Sequence, residues 1–148
     1  MACAIWRGEI TPAGMSGTER LGMRALENSP KGAGLLFYPE TSKPSLEVRE
    51  MSASINERLS ARGAVGVAGV FLQSGFTGAI QRGIATGMTI LSAHSYPMKL
   101  FGATDEAVEW LGGELRKHGV VARTQTIAAD IGAFRERYLA DGANVQLP

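Results

Sequence analysis

The feature that most constrains the fold is an unbroken apolar run at residues 64–72, AVGVAGVFL. A strand with one face in water alternates apolar and polar side chains, whereas a strand covered on both faces reads as a continuous apolar run. Such strands occur in parallel sheets that carry helices on both sides. The run therefore predicts an α/β domain with this strand inside the sheet.

Strand and helix patterns alternate along the rest of the chain. Short apolar runs predict further strands at residues 4–10, 33–38 and 97–101. Apolar residues at three- and four-residue spacing predict helices at residues 13–27, 46–62, 77–92 and 104–119. This order predicts a four- to five-stranded, mostly parallel sheet covered by helices.

Several predicted helix ends carry residues that favour them. Thr11 followed by Pro12 is typical of an N-cap and a first helical residue, and Thr104 is a candidate N-cap because Asp105 and Glu106 follow it. Gly63 is placed to end the helix at residues 46–62. These local signals set the expected helix boundaries.

The C-terminal part of the chain is predicted to extend the domain. The domain itself is assigned to residues 1–119, and residues 120–148 are assigned to an arm and a helix. Residues 120–126 fit either an edge strand or an arm, and residues 127–139 fit an amphipathic helix. This part packs either on the same domain or on a second subunit. The candidate dimer surface is an apolar stripe on the helix, Ile131, Phe134 and Tyr138.

Charge and composition exclude several classes of protein. The chain has 148 residues, with 15 basic and 14 acidic side chains. The charges are also balanced between its halves, so no basic footprint for nucleic acid or an anionic membrane is present. Cys3 is the only cysteine, which excludes a disulfide framework and an ordinary cysteine-based zinc site. No signal peptide or membrane span is recognisable, so we expect a cytoplasmic protein with no cofactor.

The best candidate for a binding site is the sequence SGFTG at residues 74–78. It lies between the buried strand and the predicted helix at residues 77–92, where backbone N–H groups and the helix dipole favour an anion. Ser74 and Thr77 are the candidate phosphorylation sites. Gly75, Phe76 and Gly78 complete the candidate partner- or anion-binding loop. The same residues also fit a turn with a Ser or Thr N-cap.

Arg82 lies off the apolar face of the predicted helix at residues 77–92 and is a further candidate for contacting an anion, or is a solvated arginine. Neither His94 nor His118 has a partner at catalytic or metal-ligand spacing. We find no nucleophile–base pair, paired carboxylates or cofactor fingerprint, so no catalytic residue and no metal ligand is predicted.

Three segments resemble bacterial proteins of the STAS/SpoIIAA-like family. They are WRGEITP at residues 6–12, the apolar strand leading into SGFTGA at residues 74–79, and FGATDEAVEWL at residues 101–111. The last resembles the ending of these proteins, in which a phenylalanine and a short acidic cap precede alanine and tryptophan-leucine. The resemblance covers about residues 4–115.

The resemblance implies a small cytoplasmic α/β protein that acts by binding rather than by catalysis. In the anti-sigma factor antagonists of this family, a phosphorylatable serine lies just after a buried strand, and Ser74 occupies the corresponding region. The aspartate of that family's motif is absent here and its glycine is shifted. The implied function is a regulatory domain that binds a protein partner through residues 74–78. Related SEC14-like sequences imply an alternative, a small-molecule or lipid-binding module whose apolar pocket is walled by Ala79, Gly83 and the apolar strand.

Overall fold

The chain folds around a parallel sheet with helices on both faces. The computed structural model describes residues 1–6, 9–39, 45–72 and 96–140, with side chains up to residue 137. The described residues form four strands, β1 (Ala2–Trp6), β2 (Ala33–Pro39), β3 (Ala64–Val70) and β4 (Met98–Phe101). They also form four helices, α1 (Pro12–Glu27), α2 (Leu46–Ala61), α3 (Thr104–Lys117) and α4 (Thr124–Ala140).

All adjacent strands are parallel and lie in the order β1-β2-β3-β4. This arrangement confirms the predicted α/β class and the predicted parallel sheet. The helix predicted at residues 77–92 lies outside the described residues.

Strand β3 occupies the interior of the sheet, as its apolar run predicts. It pairs with β2 on one side and with β4 on the other, and all seven of its residues are buried. Since successive side chains of a strand point to opposite faces, β3 contributes to two separate cores. Val67 packs in one core, and Ala68 and Val70 pack in the other.

The two faces of the sheet are covered by different helices. One core joins the sheet to α1 and α2 and contains Leu26, Ile55 and Leu59. The other joins the sheet to α3 and α4 and includes Leu111 and Ile131. The protein therefore has a helix–sheet–helix layering with the sheet in the middle.

Two glycines let α3 lie close to the sheet. Gly34 of β2 and Gly66 of β3 are paired in register, and Leu111 of α3 packs over both. A Cβ atom at Gly34 would lie 3.2 Å from Leu111 Cδ2, and one at Gly66 would lie 3.4 Å from the same atom. Leu111 is fully buried there. The missing side chains of the two strands thus make room for one large side chain of the helix.

Most of the predicted helix ends are confirmed. The Thr11 hydroxyl accepts a hydrogen bond from the Gly14 N–H at 3.2 Å, and Pro12 begins α1. Gly63 follows α2 with a φ of +98°, in the left-handed region that glycine adopts without strain. Gly119 follows α3 with a φ of +72°.

Three boundary predictions need correction. Thr104 is not the N-cap of α3, because the extended residue is Ala103 and Thr104 is already helical. The first strand is Ala2–Trp6 rather than residues 4–10, since pairing with β2 begins at Ala2. Residues 120–123 form a link and not an edge strand, and Thr124 begins α4.

Helix α4 packs on the sheet of its own chain. Ile131 is only 8% exposed and lies in the same core as Leu36 and Val108. Gly112 of α3 faces the Thr124 methyl group, so closely that a Cβ atom would overlap it. Helix α4 therefore contacts α3 and the core within its own chain. None of the described helices is both long and apolar enough to span a membrane.

The two adjacent glycines of α3 allow a matched test of the contact between α3 and α4. We expect Gly112→Ala to lower the free energy of unfolding by about 1–3 kcal/mol, because the new methyl group overlaps Thr124. Gly113→Ala meets only the end of Arg116, at 3.8 Å, and should raise stability by up to about 1 kcal/mol through helix propensity. Urea denaturation of both variants measures the difference. Equal stability of the two would contradict the close packing of α4 on α3.

An ion pair between α1 and α2 predicts a dependence of stability on pH. Arg58 donates to both carboxylate oxygens of Glu19, at 2.5 and 3.0 Å, and this lowers the pKa of Glu19 below its ordinary value of 4.5. Because the pKa of Glu19 is lower in the folded state than in the unfolded state, the ion pair stabilises the fold fully at pH values above the unfolded-state pKa. This contribution is lost as the pH falls through the folded-state pKa.

We therefore expect the stability gap between wild type and Glu19→Gln to shrink on acidification below about pH 4.5. Chemical denaturation of both proteins at several pH values between about 3 and 7 measures this difference in the free energy of unfolding. Glu27→Gln is the control, because Glu27 is exposed and forms no ion pair within the described part of the chain. If the difference in stability between wild type and Glu19→Gln stays constant with pH, the pKa of Glu19 is the same in the folded and unfolded states.

Candidate functional site

The described chain after β3 stops at Leu72, two residues before the predicted binding loop. Ser74, Gly75, Phe76, Thr77, Gly78 and Arg82 all lie outside the described residues. The chain leading to them is described as far as Leu72. The Phe71 N–H donates to the carbonyl of Phe101 at 2.9 Å, which holds the end of β3 against the end of β4. Leu72 is 41% exposed, so the chain reaches the surface at the carboxyl edge of the sheet.

The chain resumes at the opposite edge of the sheet. Tyr96 is buried against α2, and its hydroxyl donates to Asn56 Oδ1 at 2.9 Å. Burial raises the pKa of Tyr96 above its ordinary value. Next to it, the carbonyl of Pro97 accepts from the Val67 N–H at 3.0 Å. The described chain thus leaves β3 at its carboxyl end and enters β4 at its amino end, as the parallel pairing of the two strands requires.

A buried tyrosine and a threonine meet at the carboxyl edge. Tyr38 lies near the end of β2 and is 1% exposed. Its hydroxyl donates to Thr104 Oγ1, the first residue of α3, at 2.9 Å. Burial raises the pKa of Tyr38 to about 12, although the hydrogen bond to Thr104 opposes this. The phenol is thus neutral at physiological pH and fixes the start of α3 to the end of β2.

An arginine from α4 lies on this tyrosine. The Arg135 guanidinium carbon is 5.1 Å from the centroid of the Tyr38 ring, within the range of a cation–π contact. Its Nε atom is buried and has no hydrogen-bond partner among the described residues. No carboxylate of the described part of the chain forms an ion pair with it.

Arg135 is not among the residues predicted from the sequence, although a signal for it was present. Ile127, Ile131 and Arg135 are spaced by four residues, which places the arginine on the inner face of the helix. A charged residue at an inner position is uncommon and points to a specific neighbour. The neighbour itself, Tyr38, lies almost a hundred residues earlier in the sequence.

The single cysteine lies beside this group but is not activated. Cys3 of β1 is half-buried, and burial raises its pKa to about 12, with only partial opposition from the charge of Arg135. Since the thiolate is the nucleophilic form, Cys3 is almost entirely unreactive at neutral pH. The described residues contain no cluster of three or more His, Cys, Asp or Glu side chains that could hold a metal ion.

The candidate dimer surface is partly used within the chain itself. Ile131 is buried in the core beneath α4 and is not available to a second copy. Phe134 is half-buried, and the side chain of Tyr138 lies outside the described part. A dimer contact through these two aromatic residues stays a prediction.

Comparisons with known proteins do not assign a family. The chain matches no family model, no curated protein and no solved structure at a significant level. What the structure establishes is the fold, an α/β domain with a four-stranded parallel sheet.

The raised pKa of Cys3 predicts slow alkylation in the folded protein. With a pKa of about 12, the thiolate fraction at pH 8 is roughly a thousandfold below that of an ordinary cysteine. Iodoacetamide should therefore label the native chain at least that much more slowly than the urea-unfolded chain. Mass spectrometry over time measures both rates, and Cys3→Ser is the blank. A native rate within tenfold of the unfolded rate would contradict the assignment of Cys3 as an unreactive thiol with a raised pKa.

Proposed function

We propose that the chain is a non-catalytic regulatory or protein-interaction domain of the STAS/SpoIIAA-like type, which binds a protein partner at the carboxyl edge of its sheet. The partner contacts residues 74–78, with control by phosphorylation at Ser74 or Thr77. The observation that carries the proposal is the end of β3. There a strand that is buried throughout ends at Val70, and the chain reaches the exposed Leu72, two residues before Ser74.

The position of this edge supports a binding role. In open α/β sheets, ligands bind outside the carboxyl ends of the strands, where loops and helix N-termini meet. The carboxyl ends of β2, β3 and β4 lie side by side here. Tyr38, Thr104 and Phe101 give this edge a fixed framework through the hydrogen bonds at the start of α3 and the end of β3. A rigid edge next to a partner-binding loop reduces the entropy lost on binding.

Tyr38 and Cys3, two described groups of this region with shifted pKa values, favour binding over catalysis. Burial keeps Tyr38 and Cys3 protonated at neutral pH. A general acid or base works best with a pKa near the working pH, and a cysteine nucleophile needs a lowered pKa. Both groups are shifted in the opposite direction from the one that catalysis would need.

The alternative function, a small-molecule or lipid-binding module, has less support along β3. A ligand in an apolar pocket would approach this strand most closely at its glycines. A Cβ atom at Gly69 would lie 2.7 Å from Leu100 and 2.8 Å from Phe37, and Gly66 faces Leu111 at 3.4 Å. The chain's own side chains thus fill the space beside both glycines. An apolar ligand that co-purifies with the protein would favour this alternative.

A charge placed at Ser74 tests the proposed interface. We expect Ser74→Glu to reduce retention of the partner from host-cell extract by roughly tenfold, because a new carboxylate at an interface must be desolvated. Quantitative mass spectrometry of the retained proteins measures the change. Thr126→Glu is the matched control, since it adds the same charge at an exposed position on α4, far along the chain from the loop.

The outcomes separate the switch from a structural turn. Loss of one retained protein with Ser74→Glu but not with Thr126→Glu supports the interface. Equal retention by wild type and both variants would reject it. The intact mass of the protein recovered from its host cells adds an independent readout, since a phosphate on Ser74 or Thr77 appears directly in the spectrum.

A further inference from the structure

Arg135 carries a charge that the described residues do not balance. A guanidinium stays protonated at any physiological pH, and a partly buried cation without a partner is costly. No carboxylate of the described residues lies within ion-pair distance of Arg135. Asp105 is near enough to influence the pKa of Tyr38, yet it forms no ion pair with Arg135.

The surroundings of Arg135 hold its guanidinium in a defined position. One face lies on the Tyr38 ring at 5.1 Å, and Nε is enclosed by neighbouring atoms. The residue as a whole is nevertheless partly exposed. Since Nε is closed off, an incoming group would meet the terminal nitrogens of the guanidinium. These two donors match the spacing of oxygens in a carboxylate or phosphoryl group.

A second donor is connected to Arg135 through Tyr38. Because the Thr104 hydroxyl accepts the Tyr38 proton at 2.9 Å, its own hydrogen points elsewhere. It donates to none of the described residues, and Thr104 is partly exposed. The N-cap residue before it, Ala103, offers no side-chain cap to the first N–H groups of α3. The evidence for a ligand at this place is therefore the unpaired guanidinium of Arg135 and not the N-terminus of α3.

We propose that Arg135, with Thr104 beside it on Tyr38, binds an anionic oxygen group, a carboxylate or a phosphoryl group, carried by the protein partner at the carboxyl edge. This proposal rests on the proposed function, since it names the chemistry that the same edge recognises. It also gives α4 a role in binding, because α4 supplies the cation.

The experiment uses the full chain and small anions as probes. Backbone amide signals are followed by NMR while sodium phosphate, and separately sodium acetate, replaces sodium chloride at constant ionic strength. We expect the amides of Thr104, Asp105 and Glu106 to shift and saturate with at least one of the two anions. Arg135→Gln should weaken that binding by about tenfold or more, the effect of losing a charge-assisted hydrogen bond.

Two further variants keep the result interpretable. Arg137→Gln removes the same charge from an exposed site on the same helix and should bind like wild type. Arg135→Lys keeps the charge but loses the two-pronged donor geometry, so its binding should lie between those of wild type and Arg135→Gln. It also provides the comparison if Arg135→Gln does not fold, which its thermal unfolding curve reports.

The outcomes distinguish a phosphoryl group from a carboxylate, and failure of this proposal from failure of the proposed function. Binding of phosphate alone identifies a phosphoryl group, and binding of acetate as well identifies a carboxylate. No saturable shift in the wild type, or equal binding by Arg135→Gln and wild type, would overturn the proposal. Partner retention that depends on Ser74 with no anion binding at Arg135 would leave the interface standing without this site. The reverse result would leave the anion site standing without the interface at residues 74–78.

Discussion

The packing of Leu111 over two paired glycines is the contact on which the rest of the structure depends. Gly34 and Gly66 lie side by side in the sheet, and their missing side chains let α3 approach closely enough to bury Leu111 completely. That approach determines which neighbours the first residue and the second half of α3 contact. Its first residue, Thr104, meets Tyr38, and Gly112 in its last half meets the start of α4. A larger residue at either strand position would push the helix outward and separate these contacts, because a packed core relaxes only partly.

The electrostatics of the carboxyl edge follow from this packing. Tyr38 is buried in the core beneath α3 and α4, Cys3 is half-buried beside that core, and burial raises both pKa values to about 12. Arg135 lies against the ring of Tyr38, with its guanidinium carbon 5.1 Å from the ring centroid. In the described part of this edge, the hydroxyl of the same tyrosine donates to Thr104. A guanidinium next to hydroxyl groups is the donor set on which the proposed anion site depends.

The C-terminal helix is part of the domain for the same reason. Ile131 completes the core on one face of the sheet, and Arg135, one turn later, reaches Tyr38. A single helix thus contributes both to stability and to the proposed site. The three residues of that site, Tyr38, Thr104 and Arg135, come from widely separated parts of the chain and meet only because β2, α3 and α4 share one face of the sheet.

The sequence by itself determined the elements whose signals are local. The apolar run of β3, the Thr11–Pro12 start of α1 and the glycine after α2 depend on neighbouring residues alone, and the structure confirms each of them. Tertiary structure decided the rest. Thr104 is the first helical residue rather than the N-cap, because the extended residue is Ala103, with a φ of −137°. The Thr104 hydroxyl accepts a hydrogen bond from Tyr38. The packing of α4 on its own sheet, and the meeting of Arg135 with Tyr38, depend on contacts between residues far apart in the chain, which no local pattern encodes.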